Sequence, residues 1–375
     1  MGVSRVLIVG GGITGSVAAI ALAKRGAEVE LAEIRPEWTA GTGHGITLQG
    51  NALRSFQAVG VWDEIRAHGF AFDRVRLSRA DGSLIVEAPT PPTGGPDVPP
   101  TFGALRSDVQ RILAAAVYEA GVHVRLGVTI AGWSDAPDAV EVTLTDGTTA
   151  TYDLVVGADG IRSATRARLG IQTAPRPTGM SIWRVLAGRT ADMTCSELFY
   201  EGPRYKAGYT PISQTSVYAY LLDADTPEAG PGDRMPGAVL RERAAGYEGH
   251  WAPIRAALTD DTPVNYQRIE SLLVDDPWYR GRVILIGDAA HACPPLIAQG
   301  AAMCTEDAIV LAELVTGDAP TEDALKEFMR RRLPRVTMVV ANSLRLADWE
   351  IHPDTPGADP AAIMATTLAA LQDPA

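Results

Sequence analysis

The chain opens on an apolar, β-branched stretch, Arg5 to Val9, breaks at three glycines and resumes as an alanine-rich run from Thr14 to Arg25. A second alternating stretch, Glu28 to Glu33, follows directly. This pattern predicts strand, tight turn, helix, strand, a βαβ unit at the very start. Asn51 to Ala67 predicts two short helices, and Asp73 to Glu87 two strands turned by Asp81-Gly82. Pro89 to Pro100 holds six prolines and two adjacent glycines and predicts a loop.

Apolar residues then recur at helical spacing from Ser107 to Ala120, and Val122 to Tyr152 breaks into short strands around Asp146-Gly147. Leu154 to Val156 predicts one more strand. Residues 176–274 have a different character. Ser181 to Gly188, Ser196 to Tyr200, Tyr205 to Pro211 and Ser216 to Asp223 predict successive antiparallel strands, followed by one or two helices between Ala238 and Leu258. A last strand, Val283 to Ile286, leads through Gly287-Asp288 to a helix near Ala301 to Val315. Glu322 to Trp349 predicts one long helix. The tail after Pro353 is acidic and proline-containing, with a short helix from Ala361. No repeat, heptad run or transmembrane segment is apparent.

Composition narrows the class of protein. At 375 residues the chain is long enough for two folding units, and 46% hydrophobic with 21% charged residues is an ordinary soluble balance. Its 33 basic residues against 45 acidic ones leave a net charge of −12, which argues against a nucleic-acid partner or an acidic membrane surface. Met1 to Arg5 runs straight into a strand without a signal-peptide pattern, so a cytoplasmic location is expected. Cys195, Cys293 and Cys304 are too few and too scattered for a disulfide framework or a metal site, and are expected to be small buried hydrophobes. No metal is expected.

The first candidate for chemistry is Gly10-Gly11-Gly12-Ile13-Thr14-Gly15, placed between strand and helix. Gly10 permits a tight turn, Gly12 lets the backbone approach a pyrophosphate and Gly15 lets helix and strand pack closely, while the helix N-terminus supplies amides and positive potential. Glu33 ends the second strand, where a carboxylate accepts hydrogen bonds from ribose hydroxyls. These residues specify a dinucleotide but not which one.

Two later motifs bear on that choice. Asp153 to Gly160, Asp-Leu-Val-Val-Gly-Ala-Asp-Gly, is followed by Ile161-Arg162-Ser163 and resembles the Asp-Gly motif of the class A flavoprotein monooxygenases, the family of 4-hydroxybenzoate and salicylate hydroxylases. Arg282 to His291, Arg-Val-Ile-Leu-Ile-Gly-Asp-Ala-Ala-His, is similar to that family's Gly-Asp motif. A strand ending in Gly287 exposes Asp288, whose carboxylate can bond the ribityl hydroxyls of a flavin, and NAD has no ribityl chain. The resemblance covers the order of elements from Val3 to Leu346. It implies an α/β fold, with a Rossmann-like FAD-binding domain over residues 1–75, 100–175 and 275–350. An inserted antiparallel-sheet substrate domain spans 76–99 and 176–274, and C-terminal helices lead into a tail over 351–375.

The resemblance also implies roles. Arg106 matches an arginine that precedes a helix and lies against the ribityl-phosphate region, and Asp159 belongs to the FAD site with Asp288. Gly43-His44-Gly45-Ile46 resembles a loop beside the flavin ring, with His44 where alanine is usual. His291 reads as structural, satisfied by backbone. Pro294-Pro295-Leu296-Ile297-Ala298-Gln299-Gly300 resembles the loop along the flavin's reactive edge. There Pro294 and Pro295 leave carbonyls without competing donors and stiffen the wall, and Gly300 presents an amide at a helix N-terminus to reduced flavin. Ala298 stands where glycine is usual, and Ala302 where asparagine or cysteine often sits, departures that remove no backbone donor but bear on the substrate-facing shape. Glu306 and Asp307, beside this loop, read as acids that favour a helix dipole, not as a catalytic pair.

The implied reaction uses NADH or NADPH to reduce FAD. Dioxygen then adds at the flavin C4a atom, and the terminal oxygen of the hydroperoxide passes to an electron-rich ring carbon of a small aromatic or heteroaromatic substrate. No second glycine fingerprint is present, in keeping with a nicotinamide nucleotide that binds only transiently. The candidate substrate contacts are His44, Arg184 of Trp183-Arg184, Arg204, Tyr209, Tyr218 and Leu296. A urate, a pyridine acid or a polyketide antibiotic could stand in place of a simple phenol as substrate. A flavin-dependent halogenase is disfavoured, since only Trp251-Ala-Pro-Ile distantly resembles its motif. An isoprenoid reductase and a non-enzymatic flavin-binding module are disfavoured with it. The expected assembly is a monomer or homodimer.

Overall fold

The computed structural model of the protein describes residues 3–38, 44–136, 138–226, 229–275 and 277–375. Arg5–Val9, Ile13–Lys24 and Glu28–Glu33 form strand, helix and strand, and the two strands lie side by side and parallel. His123–Leu126 extends this sheet on one side. Leu154–Gly157, Val283–Leu285 and the short antiparallel Tyr279–Arg280 extend it on the other, giving six strands. Both faces are covered, which is why these strands read as unbroken apolar runs. Helices Ile13–Lys24, Arg106–Glu119 and Gly300–Val315 pack into the main core. Across the sheet, Ile130–Asp135, Val140–Leu144 and Thr149–Tyr152 form a three-stranded antiparallel layer over Leu7, Val9, Val155 and Val283.

After Arg5–Val9 the chain builds outward to one side of that strand and later returns to the other. The strand order therefore reverses beside it, and ligands bind in the crevice that such a reversal leaves at the carboxyl ends of the strands. Gly10, Ala158 and Ile286 follow those ends.

The second sheet has eight strands. In spatial order they are His291–Ala292, Val264–Leu273, Arg176–Gly188, Ser216–Ala224, Lys206–Pro211, Ser196–Tyr200, Arg74–Arg79 and Leu84–Pro89. One face is buried under helices Pro236–Arg243 and Trp251–Ala257 by Trp183, Val185, Tyr209, Leu221 and Trp251. The opposite face, through Ile182, Leu222 and Ile269, meets Leu296 and the end of the long helix Thr321–Ile351 at Ala347 and Ile351. His291–Ala292 joins the edge of this sheet immediately after the Gly287-Asp288 turn, so one short segment links both sheets.

Three features depart from the sequence reading. Val264–Leu273 is an unpredicted strand, because the side chains it turns toward Arg184 are the polar Asn265 and Gln267 and the apolar alternation is lost. Ser196–Tyr200 keeps the expected antiparallel pairing with Lys206–Pro211 but takes Arg74–Arg79 in parallel on its other edge, since the sheet joins segments remote in sequence. Gly45–Gln49, Thr101–Leu105 and Gly69–Phe72 form a further small sheet. Among the described residues no helix is long and apolar enough to cross a membrane.

The small sheet is pressed onto the large one at glycines. A Cβ on Gly45 would lie 2.3 Å from Tyr218 Cβ, and one on Gly103 would lie 1.9 Å from the Pro211 carbonyl oxygen. Gly103→Ala is therefore expected to cost about 1–3 kcal/mol or more, because backbone must move to admit the methyl. Gly132→Ala, with no atom within 4 Å of its added Cβ, is expected to stay within about 0.5 kcal/mol of wild type. Urea unfolding of both variants checks the contrast.

Candidate active site

Three motifs converge at the crevice. Gly10 has φ +107°, and a Cβ there would sit 2.5 Å from the Ala158 carbonyl oxygen. A Cβ on Gly15 would sit 1.9 Å from the Gly10 carbonyl oxygen. Gly287, at φ +61°, has room for a Cβ only 2.7 Å from Thr14 Oγ1. The glycine fingerprint thus touches the first later motif backbone to backbone at Gly10 and the second through the Thr14 side chain at Gly287, at approaches that leave no room for a Cβ. Gly12 is the exception, for its added Cβ meets nothing within 4 Å. It opens on the crevice at the N-terminus of helix Ile13–Lys24, which has no side-chain cap and no acid in its first turn. Such a terminus favours a pyrophosphate.

Glu33 accepts the Gly11 amide at 2.7 Å on one oxygen and the Arg35 amide at 3.0 Å on the other. A carboxylate offers about four acceptor sites, so two remain for ribose hydroxyls. Asp288 is exposed toward the crevice. The protein walls of the crevice partly desolvate it and raise its carboxyl above the usual range, against the pull of His291, Arg106 and the Cys304 thiol. Arg106, exposed at the start of helix Arg106–Glu119, is thus within electrostatic reach of Asp288, and its amide donates to the His44 carbonyl at 3.1 Å. His44 is half-buried, and Gly43 lies outside the described residues. Asp159 has both oxygens engaged by Ser163 and Thr165, so its carboxylate shapes the turn at Gly160.

Beneath the Gly-Asp turn lies a buried ionic cluster. Asp307 accepts the Gly287 amide at 2.9 Å and bonds His291 Nε2 at 2.6 Å through one oxygen, and takes Arg332 Nε at 2.7 Å through the other. Arg332 also reaches Glu306 at 2.8 Å, which Arg335 and Asn51 hold from other sides. Asn51 in turn bonds Gln299, the residue before Gly300. The dipole reading of Glu306 and Asp307 is thereby corrected, since both carboxylates are consumed by ion pairs in the interior. His291 is structural, but its partner is a carboxylate and not backbone. Burial alone would raise both acids. The charges of His291 and Arg332 on Asp307, and of Arg332 and Arg335 on Glu306, outweigh it and hold them below the usual range.

The loop along the crevice is tied down by its own carbonyls. The Pro294 oxygen accepts Ser343 Oγ at 2.9 Å, and the Pro295 oxygen accepts the Ala298 amide at 3.1 Å. The expectation of carbonyls without donors is corrected, and the prolines contribute a stiff wall. Pro295 is exposed and Leu296 half-buried. Ala298 takes the left-handed conformation, φ +54° and ψ 32°, which accounts for glycine being usual there. Gly300 begins helix Gly300–Val315, again with no side-chain cap and no acid in its first turn. Ala302 is buried in the main core.

Alternation decides which strand residues face the crevice. Arg184 donates to Tyr218 Oη at 3.0 Å, Gln267 Oε1 at 2.9 Å and Asn265 Oδ1 at 3.2 Å. Tyr220 lies beside Tyr218 at 5.5 Å between ring centroids and packs with Leu296 in one apolar cluster. Tyr209 and Arg204 are corrected. Tyr209 points through the opposite face, fully buried, onto Glu197 and His250, because its register partner is Ala219 and not a crevice residue. Arg204 precedes its strand and pairs with Asp223 at 3.5 Å, the acid that Arg243 also holds. Asn265 and Gln267 escaped the sequence reading, and Tyr220, on the same strand as Tyr218, was given no role by it. The parity of Arg184 and Tyr218 is the signal that finds Tyr220.

A dinucleotide crevice at the strand ends, roofed by a second, largely antiparallel sheet, defines a nucleotide-dependent oxidoreductase. The family model described as "FAD binding domain" matches residues 4–343. A 2-heptyl-3-hydroxy-4(1H)-quinolone synthase of Pseudomonas aeruginosa is 34% identical over 92% of this chain and 90% of its own length. A 3-amino-4-hydroxybenzoate 2-monooxygenase of Streptomyces cremeus is 31% identical over 94% and 89%. The structure of Klebsiella pneumoniae HpxO complexed with FAD and uric acid shares the fold, with a TM-score of 0.82 at 23% identity over 98% of this chain and 92% of that one. The chain belongs to the FAD-binding-domain family of class A flavoprotein monooxygenases and is an FAD-dependent monooxygenase.

Two outcomes follow from the site's construction. The left-handed Ala298 costs about 1 kcal/mol, partly offset on substitution by the freedom glycine has when unfolded. Ala298→Gly should therefore match or exceed wild-type stability by up to about 1 kcal/mol, whereas a β-branched Ala298→Val should lower it. Thermal unfolding of the pair distinguishes them. Asp307 and Glu306, whose folded values are depressed, stabilise the fold fully above their unfolded values near 4, and that contribution is lost as pH falls through the folded values. Urea unfolding below about pH 4 should show a shallower acid loss in Asp307→Asn than in wild type.

Proposed function

We propose that the protein hydroxylates a small aromatic or heteroaromatic ring that carries an acidic or enolic oxygen, at the expense of NADH or NADPH. When bound, FAD supplies electron transfer and dioxygen activation. Gly12, Glu33, Arg106 and Asp288 would hold it, since an open glycine, a carboxylate with spare acceptor sites and an exposed carboxylate beside an arginine suit its pyrophosphate, ribose and ribityl groups.

The chain's own part is to bind, orient and keep water out. Leu296 and Tyr220 pack in one apolar cluster between the loop and the sheet, beside the exposed Pro295. The uncapped N-terminus at Gly300 places positive potential at the loop's end, where it would stabilise negative charge on the reduced cofactor. The single observation that carries the substrate class is Arg184. Its hydrogen bonds among the described residues all go to neutral oxygens, those of Tyr218, Asn265 and Gln267. A cation solvated by neutral groups still attracts an anion. Burial raises the Tyr218 phenol, so it stays protonated near neutrality, and having accepted from Arg184 it can donate its own proton to a substrate oxygen. Both relatives carry ring hydroxyl or oxo groups in their names, which supports this reading.

The test is NADH or NADPH oxidation by the purified yellow protein, measured with a panel of hydroxybenzoates, aminohydroxybenzoates, 4-quinolones, pyridine carboxylates and urate. A compound of this panel should stimulate oxidation and appear as its hydroxylated product. Arg184→Gln should then raise its KM about tenfold or more, with FAD affinity unchanged. An Arg184→Gln variant with wild-type KM, or a substrate without an acidic or enolic oxygen, contradicts the assignment.

A further inference from the structure

Trp38 belongs to none of the three motifs. Its indole N–H donates to the Gly11 carbonyl at 2.8 Å, and Gln110 Nε2 donates to the same oxygen at 2.8 Å. Tyr118 stands edge-on to the indole, 5.7 Å between centroids at 66°. The nearest atoms to the missing Cβ of Gly11 are Glu33 Oε2 and Trp38 Cε2, both at 3.2 Å. Carboxylate and indole therefore meet at one point of the fingerprint turn. The indole is only half-buried, and Tyr118 is exposed, so this aromatic pair lies at the surface and not within the core.

Both Glu33 oxygens already take one backbone amide, and each keeps a lone pair for a hydroxyl donor. A ribose bound through those lone pairs would lie beside the indole, since carboxylate and indole meet at the same point of the turn. We propose that Trp38 is the wall of the adenosine end of the FAD cleft, held in place by Gly11 and Tyr118, and that affinity for FAD depends on it while affinity for the isoalloxazine half does not. The proposal rests on membership of the FAD-binding family and is independent of the substrate.

The experiment uses the full-length chain stripped of flavin by dialysis against bromide and titrated with FAD, FMN and ADP. FAD and ADP should quench the intrinsic fluorescence of wild type, and Trp38→Phe should lose most of the ADP quench. Trp38→Ala should raise the FAD dissociation constant about tenfold, the scale of one lost aromatic contact. Its FMN dissociation constant should stay within about twofold of wild type, and its flavin-free melting temperature should fall by only a few degrees, the cost of the lost Gly11 and Tyr118 contacts. Wild-type FAD and ADP affinity in Trp38→Ala overturns the proposal. So does an equal loss for FMN, which would mark a general disturbance of the fold. A wild-type chain that fails to bind FAD would instead count against the family's cofactor itself.

Discussion

Asp307 accepts a backbone amide, an imidazole and a guanidinium at once, and the position of the Gly287-Asp288 turn depends on that arrangement. A carboxylate and a guanidinium with no exposure are costly to bury, and they persist here because two acids face two arginines and nearly every lone pair is used. A cluster of this kind adds little net stability but tolerates few other arrangements. Removing either partner would leave an uncompensated charge in the interior. The Gly287 amide is one of its ligands, so Asp288, the next residue, can only project outward into the crevice.

From this anchor the rest of the site is laid out by contact. Gly287 meets Thr14 of the fingerprint helix, Gly10 meets Ala158, and His291 carries the chain into the edge of the second sheet. Through Glu306 and Asn51 the same cluster reaches Gln299 and hence the start of the Gly300 helix. The candidate cofactor side and the loop along the crevice are therefore set by one continuous set of buried partners. Arg184 and Tyr218 are placed independently by the large sheet, and the glycine contacts at Gly45 and Gly103 bring that sheet to its distance.

The turns and acids of the candidate cofactor side were legible in the sequence because their signals are short-range. Gly10, Gly12, Gly15, Glu33 and Gly287-Asp288 lie at the ends of strands whose apolar runs are easily read. Tyr209 was misread because strand alternation reverses a face with a shift of one residue, and only cross-strand register fixes which parity faces the crevice. Arg204 was misread because it lies before its strand, where alternation says nothing. Glu306 and Asp307 were read as acids favouring the helix dipole because Arg332 stands 25 residues beyond Asp307 on another helix, and no local spacing encodes that pair. The strand Val264–Leu273 escaped because a strand lining a polar crevice loses the pattern by which strands are recognised.

A crystal structure of the FAD-bound protein tests the anchoring of the Gly-Asp turn most directly. The Asp288 carboxylate should lie within hydrogen-bonding distance of the ribityl hydroxyls while the Gly287 amide still donates to Asp307. FAD bound with Asp288 turned away, or with the Gly287 amide released from Asp307, would contradict it.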